Sequence, residues 1–295
     1  MIVVTGATGQ LGRAVAELLL ERVPAGQVGV SVRDPEKARD LEAHGVRVRR
    51  GDFADSASLA HAFEGATKVL IVSAGSTGET AVRHHQTAIA AAAAAGAKRI
   101  LYTSHMGANP SSPFPPMRDH AATEAALRNS GIPFTSLRNG FYAASVPMLL
   151  RAAVQTGELA VPEDGPVAWT AHADLAEAAA VALTEDVIDG PTPSLTGPEA
   201  IDMTGVAAIA TQFTDRPIRR VCVSDADYHA SLLANGLPQV HADVLVGLFA
   251  ASRQGHFAPT DTALARLLGR PTTPLADILK STITLPQRGQ RELGR

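Results

Sequence analysis

Of 295 residues, one is cysteine, one is tryptophan and three are tyrosine. The lone thiol, Cys222, excludes an internal disulfide and any cysteine-rich metal site. Lysine is scarce too: of 26 basic residues only four are lysines, Lys37, Lys68, Lys98 and Lys280. No apolar run approaches the length of a membrane span. The start, Met1-Ile2-Val3-Val4-Thr5-Gly6, lacks the basic region and long apolar stretch of a signal peptide. A cytoplasmic protein with no membrane partner is therefore expected. A net charge of −3 gives no global attraction for nucleic acid. The one basic cluster, Arg47-Val48-Arg49-Arg50, alternates with apolar residues as a strand end does. There is no Gly-x-Ser-x-Gly elbow for a hydrolase and no internal repeat.

What is present is ordinary for a globular protein, with 45% hydrophobic and 19% charged residues. The length suits one large domain or two intertwined ones. Strand-like runs at Ile2–Thr5, Val28–Val32, Val46–Arg50, Val69–Ser73, Ile100–Ser104 and Phe134–Leu137 alternate with helical spacing. The helical stretches are Gln10–Arg22, a charged segment from Pro35 to Gly45, Ser58–Phe63, Glu79–Ala95 and Asp119–Asn129. Continuously apolar strands separated by helices predict a parallel sheet covered on both faces. Gly45, Gly65, Gly96 and Gly131 each follow a helical stretch, where a left-handed residue ends a helix. The Ala90–Ala95 run is a strong helix former that allows close packing.

The second half is less regular. Val146–Gln155, Ala173–Leu183, Met203–Phe213, Asp225–Asn235, Ala242–Arg253 and Thr262–Leu268 read as helices, and Ile218–Val223 as a strand. Ser194-Leu195-Thr196 reads as a strand returning to the sheet, and Leu285–Arg295 as a loose tail. The fold class expected is α/β, a Rossmann-type doubly wound parallel sheet with a smaller α/β C-terminal substrate part. Residues 1–150 would form the dinucleotide-binding domain and residues 151–295 the capping part, with about 165–200 returning to the sheet.

Gly6-x-x-Gly9-x-x-Gly12 follows a strand and opens a helix, the context a dinucleotide fingerprint requires. The glycines allow a tight turn, close approach of the backbone to a pyrophosphate, and close helix–strand packing. Free N–H groups at Gln10, Leu11 and Gly12 and the helix dipole would receive the phosphates. After the second strand stands Arg33, with Lys37 one helical turn later. A guanidinium grips the 2′-phosphate of NADP in bidentate fashion, so NADPH is favoured over NADH. The competing reading is that Arg33 merely faces solvent beside Asp34.

The run from Val4 to Gly12 resembles the atypical short-chain dehydrogenases of the NmrA-like group. Gly51-Asp52-Phe53-Ala54-Asp55, Tyr102-Thr103-Ser104 and Thr135-Ser136-Leu137-Arg138-Asn139-Gly140-Phe141-Tyr142 are similar to that group as well. His120-x-x-Thr123-Glu124-x-x-Leu127 most resembles its type 2 NAD(P)H:quinone oxidoreductases and triphenylmethane reductases. The resemblance runs from Met1 to about Lys280. It implies that Asp52 and Phe53 hold the adenine, and that Thr8 belongs to the phosphate turn. Ser73, Ala74 and Gly75 would lie along the ribose, Thr103 and Ser104 beneath the nicotinamide, and Asn139, Gly140 and Phe141 by its carboxamide.

Standard short-chain dehydrogenases need a Tyr-x-x-x-Lys pair for proton exchange. Here Tyr102 is followed four residues on by Met106, Tyr142 by Val146 and Tyr228 by Leu232, so no such pair exists. His120 and Glu124 occupy the matching helix, one turn apart. In one reading His120 borders the substrate and Glu124 orients it; in the other they are a surface pair without catalytic duty. An aromatic pocket of His105, His120, Phe141 and Tyr142 would suit a flat acceptor. His84-His85 lacks metal spacing and reads as a solvated helix face, so no metal site is expected. Thr87 stands where the group commonly has an asparagine.

These residues imply an NAD(P)H-dependent reductase that passes hydride to a quinone or similar flat electrophile, as a monomer or homodimer. A redox-sensing regulator that binds NAD(P) without turnover is the alternative. A double-bond reductase of isoprenoid or phenolic substrates would want a lysine at His120 or Glu124.

Overall fold

Alternate residues along the apolar strands point to opposite faces of one seven-stranded sheet. The computed structural model describes residues 1–185 and 188–284. Its first half runs β1 (Ile2–Thr5), α1 (Gln10–Leu20), β2 (Val28–Val32), α2 (Arg39–Ala43), β3 (Arg47–Arg50), α3 (Ser56–Phe63), β4 (Lys68–Ile71), α4 (Glu79–Ala94), β5 (Arg99–His105), α5 (Pro115–Asn129) and β6 (Phe134–Asn139). There follow β7 (Phe141–Tyr142), α6 (Val146–Thr156), β8 (Glu158–Pro162), β9 (Trp169–Thr170), α7 (His172–Thr184) and β10 (Gly190–Pro191). The chain continues through α8 (Met203–Thr211), β11 (Arg219–Val223), α9 (Asp225–Ala234), α10 (Gln239–Arg253), α11 (Ala263–Leu268) and α12 (Leu275–Thr284).

The sheet order is β10-β6-β5-β4-β1-β2-β3, every pairing parallel. This is the Rossmann-type order expected, and the order reverses between β1 and β4, where such sheets open a crevice beyond the strand ends. Val4, Leu70 and Leu101 pack on one face with Val15 and Leu19 of α1 and Leu175 of α7. Val3, Val69, Ile71, Ile100 and Tyr102 pack on the other with α3, α4 and Leu127 of α5. Ala88, Ala91 and Ala92 are buried there, so the alanine run of α4 is a close-packing face. A third cluster, with Phe114, Trp169, Met203, Phe249 and Phe257, belongs to the C-terminal part. Two small parallel pairs, β7 with β9 and β8 with β11, frame it.

Several sequence expectations shift. The helix predicted from Asp119 begins at Pro115, because prolines at the first two helical positions lose no needed N–H. The Pro35–Gly45 stretch is a 3₁₀ turn at Pro35–Ala38 leading into the short α2. The returning strand forms its ladder at Gly190–Pro191, and Leu195 adds one parallel bridge to Asn139. The tail at Leu285–Arg295 lies outside the described residues. Among the described residues no helix is long and apolar enough to cross a membrane.

Candidate active site

The glycine turn is built by three different constraints. Gly6 takes φ +65°, the left-handed region that strains any side chain. Its N–H donates to the Ser31 carbonyl (3.0 Å), and its own carbonyl accepts from Gly9 N–H (2.9 Å). A Cβ on Gly12 would lie 2.5 Å from that same carbonyl oxygen, so only glycine lets α1 approach β1 this closely. At Gly9 a Cβ would meet just one atom, the Gly6 oxygen at 3.3 Å, because the residue otherwise faces an open cleft. Gly9 caps α1 without a side-chain acceptor, which leaves first-turn N–H groups free for an anion.

The cleft measures about 610 Å³ and opens beyond the ends of β1, β2 and β4. It brings together Gly6, Thr8, Gly9, Arg33, Asp52, Phe53, Ser73, Ala74 and Gly75. Gln10 is exposed at the helix start, while Leu11 and Gly12 are buried behind the turn. Lys37 is not among the lining residues: its ammonium faces solvent and lies 3.9 Å from Asp34, so the expected Arg33–Lys37 pair reduces to Arg33. Ser31, Val32, Gly51, Val72, Ser76 and His84 also line the cleft, and sequence reasoning missed them. Their position beside the ends of β2 and β4 is the signal that could have found them.

These residues fit a dinucleotide. Ser31 is 2% exposed and its hydroxyl has no protein partner, and a Cβ on Gly51 would collide with it. A partnerless buried hydroxyl on the wall, a cation at Arg33 and an uncapped helix start are what a nucleotide with phosphates requires.

The segment after β4 is held from below. Ser73 N–H donates to Thr103 Oγ1 (2.8 Å) and Ala74 N–H to His85 Nε2 (2.8 Å). His85 is thus a core residue and not a solvated face, whereas His84 lines the cleft. Thr87 bonds back to the Arg83 carbonyl of its own helix (2.9 Å).

At the ends of β5 and β6 the chemistry is carried by side chains. Glu124 does not orient His120, which corrects the sequence reading. Its buried carboxylate takes a fork from Arg138 (3.0 and 2.7 Å) and hydroxyl donations from Ser104 (2.8 Å) and Ser136 (3.0 Å). Burial pushes its pKa up, but the bonds from Arg138 and Ser104 outweigh that and hold it below the ordinary carboxylate value. His120 is held instead by Tyr102, whose hydroxyl lies 2.6 Å from Nδ1. Burial raises the Tyr102 pKa, so it stays a phenol, which can donate to Nδ1 or accept from it; donation would place the His120 proton on Nε2. Burial, with His105 and His85 nearby, puts the His120 pKa well below 6.5, so the ring is neutral.

Phe141 joins an aromatic wall with His105 (5.9 Å between ring centres), Phe114 (5.8 Å), Trp169 (5.4 Å) and Phe257 (5.1 Å). His120 meets His105 at 5.9 Å. Tyr142, expected on this wall, turns to the other face of β7, as successive strand residues must, and packs on His172 at 4.3 Å. Its hydroxyl accepts from the amide of Asn139 (3.4 Å), and its ring packs on the core beneath α1 and α7, so its assignment to the aromatic wall is corrected. His105 Nδ1 accepts from Gly107 N–H (3.1 Å), while Nε2 is buried without a partner. Asn139 Oδ1 is likewise buried and partnerless. Gly140 allows close passage of the chain, since a Cβ there would strike Thr170. Thr103 and Ser104 are buried at the end of β5, next to Arg138 and Leu137 of β6.

Residues 6–186 match the family described as NAD(P)H-binding. Quinone oxidoreductase 2 of Escherichia coli (strain K12) is 39% identical over 281 residues, 94% of this chain and 96% of its own. The crystal structure of an NADPH-dependent quinone oxidoreductase from Escherichia coli, complexed with NADPH, superposes with a TM-score of 0.91 at 37% identity, covering 96% of this chain and 99% of its own. Citrobacter sp. triphenylmethane reductase complexed with NADP(H) gives 0.88 at 34% identity, covering 95% and 99%. A glycine turn opening a Rossmann crevice and likeness along nearly the whole chain lead to the same conclusion: the chain belongs to the NAD(P)H-binding family.

Proposed function

We propose that this chain is an NADPH-dependent reductase that delivers hydride to a flat conjugated electrophile such as a quinone. The observation that carries the reading is a dinucleotide-sized cleft on the same sheet edge as an aromatic cluster in which the half-buried His105 and Phe141 are backed by the buried Phe114 and Phe257. Triphenylmethane dyes, named for the Citrobacter relative, are likewise conjugated aromatic electrophiles. When bound, NADPH supplies the hydride, and the chemistry is largely the cofactor's own.

The chain's residues would bind and orient. Gly9 and the first turn of α1 receive the pyrophosphate, Arg33 pairs with the 2′-phosphate, and Asp52 and Phe53 hold the adenosine end. Ser73, Ala74 and Gly75 border a ribose, with Thr103 and Ser104 beneath the nicotinamide. Asn139 offers its partnerless Oδ1 to a carboxamide N–H, beside Gly140 and Phe141. Residues 1–150 would hold the cofactor and 151–295 close over the acceptor, with 165–200 returning to the sheet.

His120 is neutral, and with Tyr102 donating to its Nδ1 it would offer Nε2–H to an acceptor oxygen, as a hydrogen-bond donor rather than a reserve of protons. His120→Ala should therefore lower turnover modestly, well short of the roughly 100-fold loss of an essential acid. The test is NADPH oxidation with quinones and triarylmethane dyes, using cofactor deuterated at the transferred position. An isotope effect in single turnover is expected. No consumption with any acceptor, beside unequal binding of NADP⁺ and NADPH, would turn the reading to a redox sensor.

A further inference from the structure

Histidine is an unusual choice for a 2%-exposed position on α4, where a leucine or methionine would fill the space without a polar atom to satisfy. Both ring nitrogens of His85 are nevertheless committed. Nε2 lies 2.8 Å from Ala74 N, and Nδ1 lies 2.8 Å from Thr123 Oγ1. A main-chain N–H can only donate, so Nε2 is the bare acceptor and the ring's single proton sits on Nδ1. Thr123 agrees with that assignment: its hydroxyl donates to the Asp119 carbonyl (2.8 Å), which leaves the oxygen to accept from Nδ1–H. Every donor and acceptor in the chain from Ala74 to Asp119 is matched in one protonation state.

The two ends of this chain belong to different parts of the molecule. Ala74 lies on the wall of the cleft. Thr123 and Asp119 lie on α5, the helix that carries His120. Phe53, which also lines the cleft, sets its ring nearly perpendicular to the His85 ring at 6.4 Å. Gly78, which leads into α4, is tied to the same helix by its N–H to Asp119 Oδ2 (2.7 Å).

We propose that His85 is a positioning residue for the dinucleotide: acting through Ala74, it fixes the segment from Ser73 to Ser76 against α5 so that the cleft is preformed. The inference rests on the cleft being the NADPH site. It deepens that reading by assigning a residue that does not line the cleft.

Two neutral amides of different reach test it. Glutamine carries its amide about as far out as Nε2 and can accept from Ala74 N–H; asparagine ends near Nδ1 and cannot reach Ala74. NADPH affinity is measured by isothermal titration calorimetry, KM for NADPH and kcat with a naphthoquinone as acceptor, and folding by thermal melting. His85→Asn should raise Kd and KM for NADPH about 10-fold, the loss expected when a buried donor is left unpaired. Its kcat at saturating NADPH should stay within about twofold, and His85→Gln should recover most of the affinity. Equal affinity in folded Asn and Gln variants would overturn the proposal, and so would a fall in kcat with Kd unchanged. If asparagine is not tolerated, Thr123→Val keeps the ring but removes the nearer oxygen on its Nδ1, leaving the Tyr102 hydroxyl at 3.5 Å; Thr123→Val with Tyr102→Phe removes both. Weaker NADPH binding in the double variant supports the proposal and unchanged binding overturns it. Failure of the parent protein to bind NADPH would instead reject the cleft assignment itself.

Discussion

The two stretches of one sheet edge are made of different material. Beyond β1, β2 and β4 the cleft is shaped mainly by backbone: a left-handed Gly6, an uncapped Gly9, and a Gly12 pressed on a carbonyl. Beyond β5 and β6 the structure is made by largely buried side chains that arrive from α5, β7, β9 and the segment after α10, held by ring contacts and one buried carboxylate. The first kind of construction depends on residues that are small, and the second on residues that find partners. Substitution should therefore damage the first by filling space and the second by orphaning a group.

The largest effect is expected at Gly9. Gly9→Val should abolish NADPH binding while the fold survives, because a Cβ there faces the cleft and meets only one backbone oxygen. Undiminished binding by calorimetry in a folded variant would break the contrast. Arg138→Met should act oppositely, through stability. It leaves Glu124 ionised and buried with only hydroxyls and the more distant Arg128 (3.4 Å), at a cost of about 3–5 kcal/mol in urea unfolding. A loss under about 1 kcal/mol would mean that Ser104 and Ser136 suffice.

Arg33→Ala should weaken NADPH by about 1.5–3 kcal/mol and NADH little, the range of a charge-assisted hydrogen bond. Equal losses on titration with both cofactors would detach Arg33 from the 2′-phosphate. The smallest effect is acid sensitivity, from one histidine behind each half. Burial, with His84 beside it, puts His85 at about 4, and burial alone puts His105 at about 4, against an ordinary 6.5. The unfolded chain takes up these protons first, so stability is full above pH 6.5 and is lost as pH falls toward 4. Melting temperature should drop by several degrees between about pH 7 and about pH 5, and His105→Phe should make the slope shallower. A melting temperature flat across that interval would show that these rings are not buried neutral.

The same contrast decides what could be read from sequence. The glycine turn, Arg33 and Asp52-Phe53 are local, since a few adjacent residues both make and reveal them. β8 was not predicted: Glu158-Leu159-Ala160-Val161-Pro162 acquires its strand character only by pairing with Arg219–Val223, about sixty residues away. α12 escaped as well, although Leu275, Ile278, Leu279 and Ile283 carry helical spacing, the face that packs on α8 and α6. Spacing placed His120 and Glu124 one turn apart on a helix, but it could not say that Tyr102 and Arg138 would claim them. Two adjacent histidines looked alike as letters, and helix rotation sent His85 inward. The Phe141-Tyr142 pair failed as one wall for the equivalent reason in a strand, whose neighbours face opposite ways.

The protein's one tryptophan, Trp169, is 1% exposed, donates its indole N–H to the Ile201 carbonyl (2.9 Å), and sets its ring perpendicular to Phe141. Light absorbed by indole therefore reports from a single known address, with no second emitter to unmix. Emission will be blue-shifted by burial, and anything that enters against Phe141 will change its yield. The molecule carries its own optical gauge at the wall where side chains, rather than backbone, make the surface.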